Sequence, residues 1–167
     1  ASFTAAKLRW VRTHEPRNAD RIAAVALPRD WLTWRLLGYG PDGSPRGSDL
    51  EELATDASDA SGTAYFSAFG RAYDAELFQQ AFGRPCRAAG SPATDAHDVV
   101  LPRILGPHER AGTTPDRLLV GARARDHAAA ALGLDAGPRY VAASIRTPGT
   151  AFASALHLFV LVKSVDL

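Results

Sequence analysis

The sequence is poor in cysteine, with Cys86 as the single one among 167 residues. One cysteine cannot form a disulfide within the chain, and it argues against a structural zinc site, which usually uses several thiolates. Four histidines lack ligand spacing with each other and with Cys86: His14, His97, His108 and His157. The sequence therefore predicts no metal site.

The sequence also lacks net charge and long apolar runs. Nineteen basic and 18 acidic residues leave a formal charge of +1. This balance gives no electrostatic attraction to nucleic acid or to an anionic membrane, and we expect neither partner. No apolar run reaches the roughly 20 residues that span a bilayer, and no signal peptide opens the chain. We therefore expect a cytoplasmic protein.

Methionine is absent altogether. The chain begins directly in helical rhythm, and its last apolar run, Leu156 to Val162, stops just before the end. We expect both ends to be cuts through a larger fold. The motifs G-x-S-x-G, G-x-x-x-x-G-K-[ST] and G-x-G-x-x-G are missing as well, although counting residues alone does not exclude a Ser-His-Asp triad.

Apolar spacing predicts three helices at the start of the chain. They are Thr4 to His14, Pro16 to about Ala23, and a third that opens at Pro28 and stops at Gly38. Apolar residues line more than one face of the third helix, so we expect it to be well buried. Core packing is also the expected role of the three tryptophans, Trp10, Trp31 and Trp34.

The remaining segments alternate between turns, helices and strands. Glycine and proline predict a surface loop over Gly38 to Gly47, and small polar residues predict turns over Thr55 to Thr63 before a short strand, Ala64 to Phe66. Two further helices are expected, one from a cap at Asp74 to Gly83 and one over Asp126 to Leu132, with a loop over Arg84 to Asp98. Extended segments are expected at Val99 to Leu105, Leu118 to Val120, Tyr140 to Ile145 and Leu156 to Val162. Strand and helix alternate in the C-terminal half, which predicts an α/β fold.

Asp126 stands between a predicted strand and an alanine-rich helix. As a helix N-cap it would accept backbone N–H bonds and stabilise the helix by about 1 kcal/mol. Ligands of α/β sheets gather where strands pass into helices, so a carboxylate there can also take a proton from a bound hydroxyl. The residue type leaves both interpretations open.

The segment SIRTPGT, Ser144 to Thr150, follows a predicted strand and is rich in hydroxyl groups. Such a turn can hold phosphate with backbone N–H groups and threonine hydroxyls. An ordinary turn between strands would have the same composition, so the motif alone does not decide.

Several segments in one order carry a resemblance to a known family. They are KLRWVRTHEP, LPRDWLTWRLLG, TDASDASGTAYF, LPRILGPHERAGTT, GARARDHAAAALGL and ASIRTPGTAFA. Together, over roughly Ala5 to Ala153, they resemble the FGGY carbohydrate kinases, in particular the branch that phosphorylates xylulose. An ordered set of segments is far more specific than any one of them.

The resemblance implies an α/β fold of the ribonuclease-H-like (actin-like ATPase) type. Residues 1–155 would be the later part of the N-terminal kinase domain, with 156–167 as a divergent tail. It also implies that ATP, with Mg²⁺, phosphorylates a ketose, D-xylulose, at its terminal hydroxyl. Asp126 takes the place of the catalytic base and sugar contact, and His127 that of a second sugar contact. A nucleotide phosphate-binding turn corresponds to Thr147, Gly149 and Thr150.

The chain departs from the family pattern at these same segments. Arg123 and Arg125 stand where the family has glycines, and an arginine at positive φ would be strained. His127 replaces asparagine. Arg146 and Pro148 stand in the phosphate turn, where proline removes one backbone N–H.

Two other hypotheses therefore stay beside catalysis. The chain could be a truncated or degenerate kinase-like domain that only binds a sugar or a partner. It could also self-associate or pair with the missing half of a kinase, because an apolar run such as LHLFVLV needs cover.

Overall fold

A computed structural model of the chain describes residues 3–95 and 97–124, the single positions 129 and 133, and the segments 141–144, 150–155 and 158–163. The chain divides into two compact units, Ala1–Arg123 and Ala124–Leu167. Each unit is described by itself. Among the described residues, no helix is long and apolar enough to cross a bilayer.

The first unit holds five α-helices and two short 3-10 helices. They are α1 Thr4–His14, α2 Pro16–Arg21, α3 Pro28–Leu36, α4 Ala57–Ala60 and α5 Ala75–Phe82, with 3-10 turns at Leu50–Glu52 and Ser61–Thr63. The predicted helices in this part are confirmed, although α2 ends earlier than expected, because Ile22 is already extended. Arg84 holds that end by donating hydrogen bonds to the carbonyl oxygens of Ala19 and Ile22 at 3.0 and 2.7 Å.

Short strands pair in four places within this unit. The strands are β1 Ala54–Asp56, β2 Phe66–Ser67, β3 Ala72–Tyr73, β4 Cys86–Ala88, β5 Val99–Leu101, β6 Arg103–Leu105, β7 Arg110–Thr113 and β8 Leu119–Gly121. β1 runs parallel to β6 and β4 runs parallel to β5, whereas β2–β3 and β7–β8 are antiparallel. Ala24 adds a parallel bridge to Val100 on β5.

The main core lies where α1 and α5 meet β5. Phe78 and Phe82 are four residues apart on α5, so they share one face, and both are fully buried. Tyr65 packs against Phe78 edge to face, with ring centroids 5.1 Å apart. Leu8 of α1 and Val99 of β5 belong to the same buried cluster, so this core joins the two helices to the strand.

Three expectations about polar and mixed segments need correction. The stretch Thr55 to Thr63 is more than a run of turns: it contains part of β1, all of α4 and a 3-10 turn, and Asp56 and Asp59 in it are buried. Ala64 does not open a strand, since it is left-handed with φ of 69°. The predicted loop Arg84 to Asp98 contains β4, which pairs with β5.

The predicted burial of the tryptophans is confirmed only for Trp34. Trp10 and Trp31 are 52% and 49% exposed, and Leu36 on α3 is 58% exposed. The buried side of α3 instead carries polar groups, Asp30 and Thr33, beside Trp34. Counting apolar residues therefore misplaced the buried face of this helix.

The second unit contains an antiparallel sheet in the order β11-β10-β9. Its strands are β9 Val141–Ser144, β10 Thr150–Ala155 and β11 Leu158–Lys163. β9 lies within the predicted strand Tyr140 to Ile145, and β11 covers Leu158 to Val162 of the predicted strand Leu156 to Val162, so strands are confirmed in both segments. Of the predicted helix Asp126 to Leu132, only Ala129 is described, and it is helical.

Candidate functional site

Buried polar side chains gather where β1 ends and α3 begins. In a globular protein such residues are normally exposed unless they are paired. Asp30, Thr33, Thr55, Asp56 and Asp59 are each at most 6% exposed. With Arg29 and Arg123, which pair with two of these acids, they form what we call the β1 polar cluster.

Asp30 is held on both of its carboxylate oxygens. It stands in the first turn of α3, where Oδ2 accepts a hydrogen bond from the backbone N–H of Leu27 at 2.8 Å. This is the reach of a helix N3 acid back to the N-cap residue, and Pro28 in between suits the first helical position. Oδ1 accepts from Nη2 of Arg123, also at 2.8 Å.

Arg123 links α3 to β1 through its guanidinium group. Nη1 donates to the hydroxyl of Thr33 at 2.6 Å and to the carbonyl oxygen of Arg29. Nη2 donates to Asp30 and to the carbonyl oxygen of Ala54 at 3.1 Å. A planar guanidinium with several fixed donors suits such a site.

A second pair of acids lies at the start of α4. Asp56 caps the helix, since its Oδ1 accepts from the backbone N–H groups of Ser58 and Asp59 at 2.9 and 3.2 Å. Asp59 Oδ2 lies 3.4 Å from Nε of Arg29. In the part of the chain that the structure describes, Oδ2 of Asp56 and Oδ2 of Asp59 are buried without a hydrogen bond.

Burial raises the pKa of the Asp30 carboxyl, against the lowering effect of the Leu27 N–H and of Arg123. Burial also raises the pKa of Asp59, where Arg29 acts in the opposite direction and the carboxylates of Asp56 and Asp30 add to the increase. Desolvation and neighbouring negative charge both disfavour ionisation. Asp30 and Asp59 thus hold their protons more tightly than surface acids do, as groups at sites of proton transfer often do.

The structure does not test the arrangement of the predicted site residues, because most of them lie outside the described residues. Asp126, His127, Thr147 and Gly149 lie outside the described residues. Thr150 is described only as the first residue of β10, opposite Ser144 and Lys163. No group of His, Cys, Asp or Glu among the described residues could hold a metal ion.

Arg123 does not have the positive φ that would strain an arginine in place of a glycine. Among the non-glycine residues described, positive φ occurs at Ala64, Arg71 and Arg117, and Arg123 is not among them. Its side chain occupies the β1 polar cluster instead. Arg125 lies outside the described residues.

Sequence reasoning missed most of this cluster. The acids of TDASDASGT were visible, but the small polar residues around them predicted only turns. Asp30 carried a local signal, an acid in the first turn after Pro28. The partnership of Asp30 with Arg123 had no signal, since the two residues belong to segments far apart.

Comparison with known proteins decides the family. Residues 1–133 match the N-terminal domain of the FGGY family of carbohydrate kinases. The chain belongs to this family. A xylulose kinase of Streptomyces coelicolor is 38% identical over 161 residues, which are 92% of this chain and 28% of that protein. This FGGY chain therefore spans about 28% of the length of that curated relative.

Solved structures give the fold of this FGGY chain. The xylulose kinase of Bifidobacterium adolescentis is 37% identical, with a TM-score of 0.73 over 91% of this chain and 32% of its own. The glycerol kinase of Plasmodium falciparum, 17% identical, matches with a TM-score of 0.63 over 88% of this chain and 27% of its own, which supports the fold alone. The actin-like ATPase fold predicted from the resemblance is confirmed.

Proposed function

We propose that this chain forms part of a sugar kinase that transfers the γ-phosphoryl group of ATP to a ketose. The substrate we propose is D-xylulose, phosphorylated at its terminal hydroxyl to D-xylulose 5-phosphate. The observation that carries the proposal is the FGGY match over residues 1–133, together with 38% identity to a xylulose kinase.

Asp126 is the proposed general base, which accepts the proton of the attacking hydroxyl as the phosphoryl group moves. Asp126 and His127 would contact the sugar. Thr147, Gly149 and Thr150 would contact the nucleotide phosphates. Phosphoryl transfer requires mainly positioning and charge stabilisation, and Mg²⁺ bound with the nucleotide would supply part of that charge stabilisation. The described residues offer no metal cluster, so we assign Mg²⁺ no protein ligand.

A coupled ADP-release assay with D-xylulose tests the proposal. The variant is Asp126→Ala, and Asp116→Ala, an exposed acid in the same half of the chain, is the matched control. Loss of the general base should reduce kcat by about 100- to 10,000-fold. The control should keep the wild-type rate, and equal rates for both variants would remove Asp126 from the mechanism.

A binding module without catalysis is the second candidate, favoured by Arg146 and Pro148 in the phosphate turn. Calorimetric titration with ATP and Mg²⁺ separates this candidate from the kinase, since micromolar nucleotide binding argues against a module without catalysis.

Sedimentation tests the predicted self-association or pairing with a kinase half. The boundary between 155 and 156, the cytoplasmic setting and the exclusion of nucleic acid and membrane partners stay predictions.

A further inference from the structure

We propose that the loop after α3 forms a binding site for a phosphate group, made by Arg35, Ser44 and Arg46. The loop is the glycine- and proline-rich segment Gly38 to Gly47. The ligand is inorganic phosphate or a phosphate monoester, which present the same negatively charged oxygens. Phosphate binding at this loop does not depend on the proposed kinase activity.

Arg35 lies across the loop in a fixed position. Its Nη1 donates hydrogen bonds to the hydroxyl oxygen of Ser44 at 2.7 Å and to the carbonyl oxygen of Tyr39 at 3.1 Å. Its Cζ also lies 5.8 Å from the centroid of the Trp31 ring, within the range of a cation–π contact. A guanidinium held in this way needs little further ordering when it binds a ligand.

Gly40 makes this position of the arginine possible. A Cβ atom at residue 40 would lie 1.5 Å from Nη1 of Arg35 and 2.5 Å from the hydroxyl oxygen of Ser44, so any side chain there would displace the guanidinium. The loop is closed by a hydrogen bond from the Gly40 N–H to the Gly47 carbonyl oxygen at 2.8 Å. The position of Arg35 is therefore set by the fold of the loop before any ligand binds.

Arg46 brings a second guanidinium to the loop. Its Cζ lies 5.6 Å from the centroid of the Tyr39 ring, and its backbone N–H donates to the carbonyl oxygen of Gly38 at 3.0 Å. Tyr39 is also the residue whose carbonyl oxygen accepts from Arg35, so both guanidinium groups lie around one residue. Two arginines suit a phosphate group, because a planar guanidinium can donate two parallel N–H bonds to its oxygens.

The donors of this site are available to a ligand. Arg35 and Arg46 are exposed, and neither forms an ion pair within the part of the chain that the structure describes. The segment that contains them has one acid, Asp42, against two arginines. The Ser44 hydroxyl accepts from Arg35, and its own proton has no acceptor among the described residues, so it can donate to an oxyanion.

Titration of the purified chain with inorganic phosphate at constant ionic strength, followed at the backbone amides by NMR, tests the proposal. The amide signals of residues 38–48 should shift and reach saturation. D-xylulose 5-phosphate should shift the same amides, which tests a phosphate monoester as the source of the group. Unphosphorylated D-xylulose should not shift them, because it lacks the charged oxygens.

Arg46→Gln and Gly40→Ala are the informative variants. Arg46→Gln removes one guanidinium and should weaken phosphate binding by about 10-fold or more. Gly40→Ala keeps both charges but displaces Arg35, and it should weaken binding to a similar extent. Arg17→Gln is the matched control, since it removes an exposed arginine of α2 and should leave phosphate binding unchanged.

No saturable shift in the loop, with inorganic phosphate and with the sugar phosphate, would overturn the proposal. Equal weakening by Arg17→Gln and Arg46→Gln would overturn it as well, because a general attraction of anions to positive charge would then explain the shifts. Equal shifts with unphosphorylated D-xylulose would show that the loop does not recognise phosphate. If the Gly40→Ala chain does not fold, Arg46→Gln decides. None of these measurements requires turnover, so they stay valid if the proposed function fails.

Discussion

Arg123 and Asp30 form an ion pair of 2.8 Å, although 93 positions separate them along the chain. The Asp30 side chain is 2% exposed, so its charge has little access to water. Taking one partner away leaves an uncompensated buried charge, which costs more than the pair contributes. This pair therefore makes the first unit depend on a residue at its very end.

Replacing Arg123 by methionine should destabilise the first unit by about 3–5 kcal/mol at pH 7, because the Asp30 carboxylate is left without its cation. The loss should shrink as the pH falls. Burial raises the pKa of Asp30 in the folded state, and removing Arg123, which lowers that pKa, raises it further. The folded variant therefore recovers stability relative to the unfolded chain as the carboxyl takes up a proton. Urea unfolding at pH 7 and at about pH 4.5 measures both effects.

The matched control for this prediction is Arg103→Met, which breaks a half-exposed pair with Glu109 and should cost less than about 1 kcal/mol. The double variant Asp30→Asn with Arg123→Met should recover part of the loss, since no buried charge remains. Equal costs at Arg123 and Arg103 would contradict the interpretation.

The ion pair of Glu51 and Arg87 stabilises the fold, and this contribution is lost at low pH. Glu51 accepts from Nη2 and Nη1 of Arg87 at 2.5 and 2.8 Å and from the Gly90 N–H at 2.8 Å. These bonds, those of Arg87 first, lower the pKa of Glu51 to about 2. Since this pKa lies below that of the unfolded chain, the contribution is complete above about pH 4.5 and is lost as the pH falls toward 2.

Glu51→Gln should therefore cost about 1 kcal/mol near neutral pH, a small value because the Glu51 side chain is 41% exposed to screening water. The difference in the free energy of unfolding between this variant and the wild type should become smaller between pH 4.5 and pH 3 in chemical unfolding experiments. Glu52→Gln, at the next position of the same 3-10 helix, is the control and should show no such narrowing.

Phe78 should be the most costly truncation on α5. It is fully buried between Tyr65 and Phe82, with ring centroids at 5.1 and 5.7 Å. Phe78→Ala should lower the free energy of unfolding by about 3–5 kcal/mol through lost burial and the cavity left behind. Leu77→Ala on the exposed side should cost under about 1 kcal/mol, and a comparable loss at both positions would refute this assignment of the core face.

Cys86 should react slowly with alkylating reagents. Burial, with the Asp98 and Asp74 carboxylates, raises the pKa of its thiol to about 11, so little thiolate exists at pH 8. Iodoacetamide should modify it about 100-fold more slowly than a free cysteine at that pH. The rate should become ordinary in guanidinium chloride, and a fast reaction of the folded chain would show that the thiol is not protected.

Local signals in the sequence determined most helices of the first unit, and the order of the segments indicated the family. Asp74 accepts from the Leu77 N–H at 2.9 Å, and Gly83 is left-handed with φ of 75°, so α5 begins and ends where the cap residues indicate. The ordered segments indicated the FGGY kinases, because each segment can be compared with the family pattern without knowledge of how the chain folds. The roles of Asp126 and of the phosphate turn remain predictions.

Only the tertiary structure decided which faces are covered and which charges meet. Periodicity shows that α3 has faces but not which one is buried, and the polar side with Asp30 faces inward because Arg123 satisfies it there. The small polar residues of TDASDASGT suit a surface turn as well as a buried strand end, and packing selects between them. Arg123, which stands where the family has a glycine, forms a largely buried ion pair with Asp30. The sequence does not show this pair, because pairing across distant segments is a property of the folded chain.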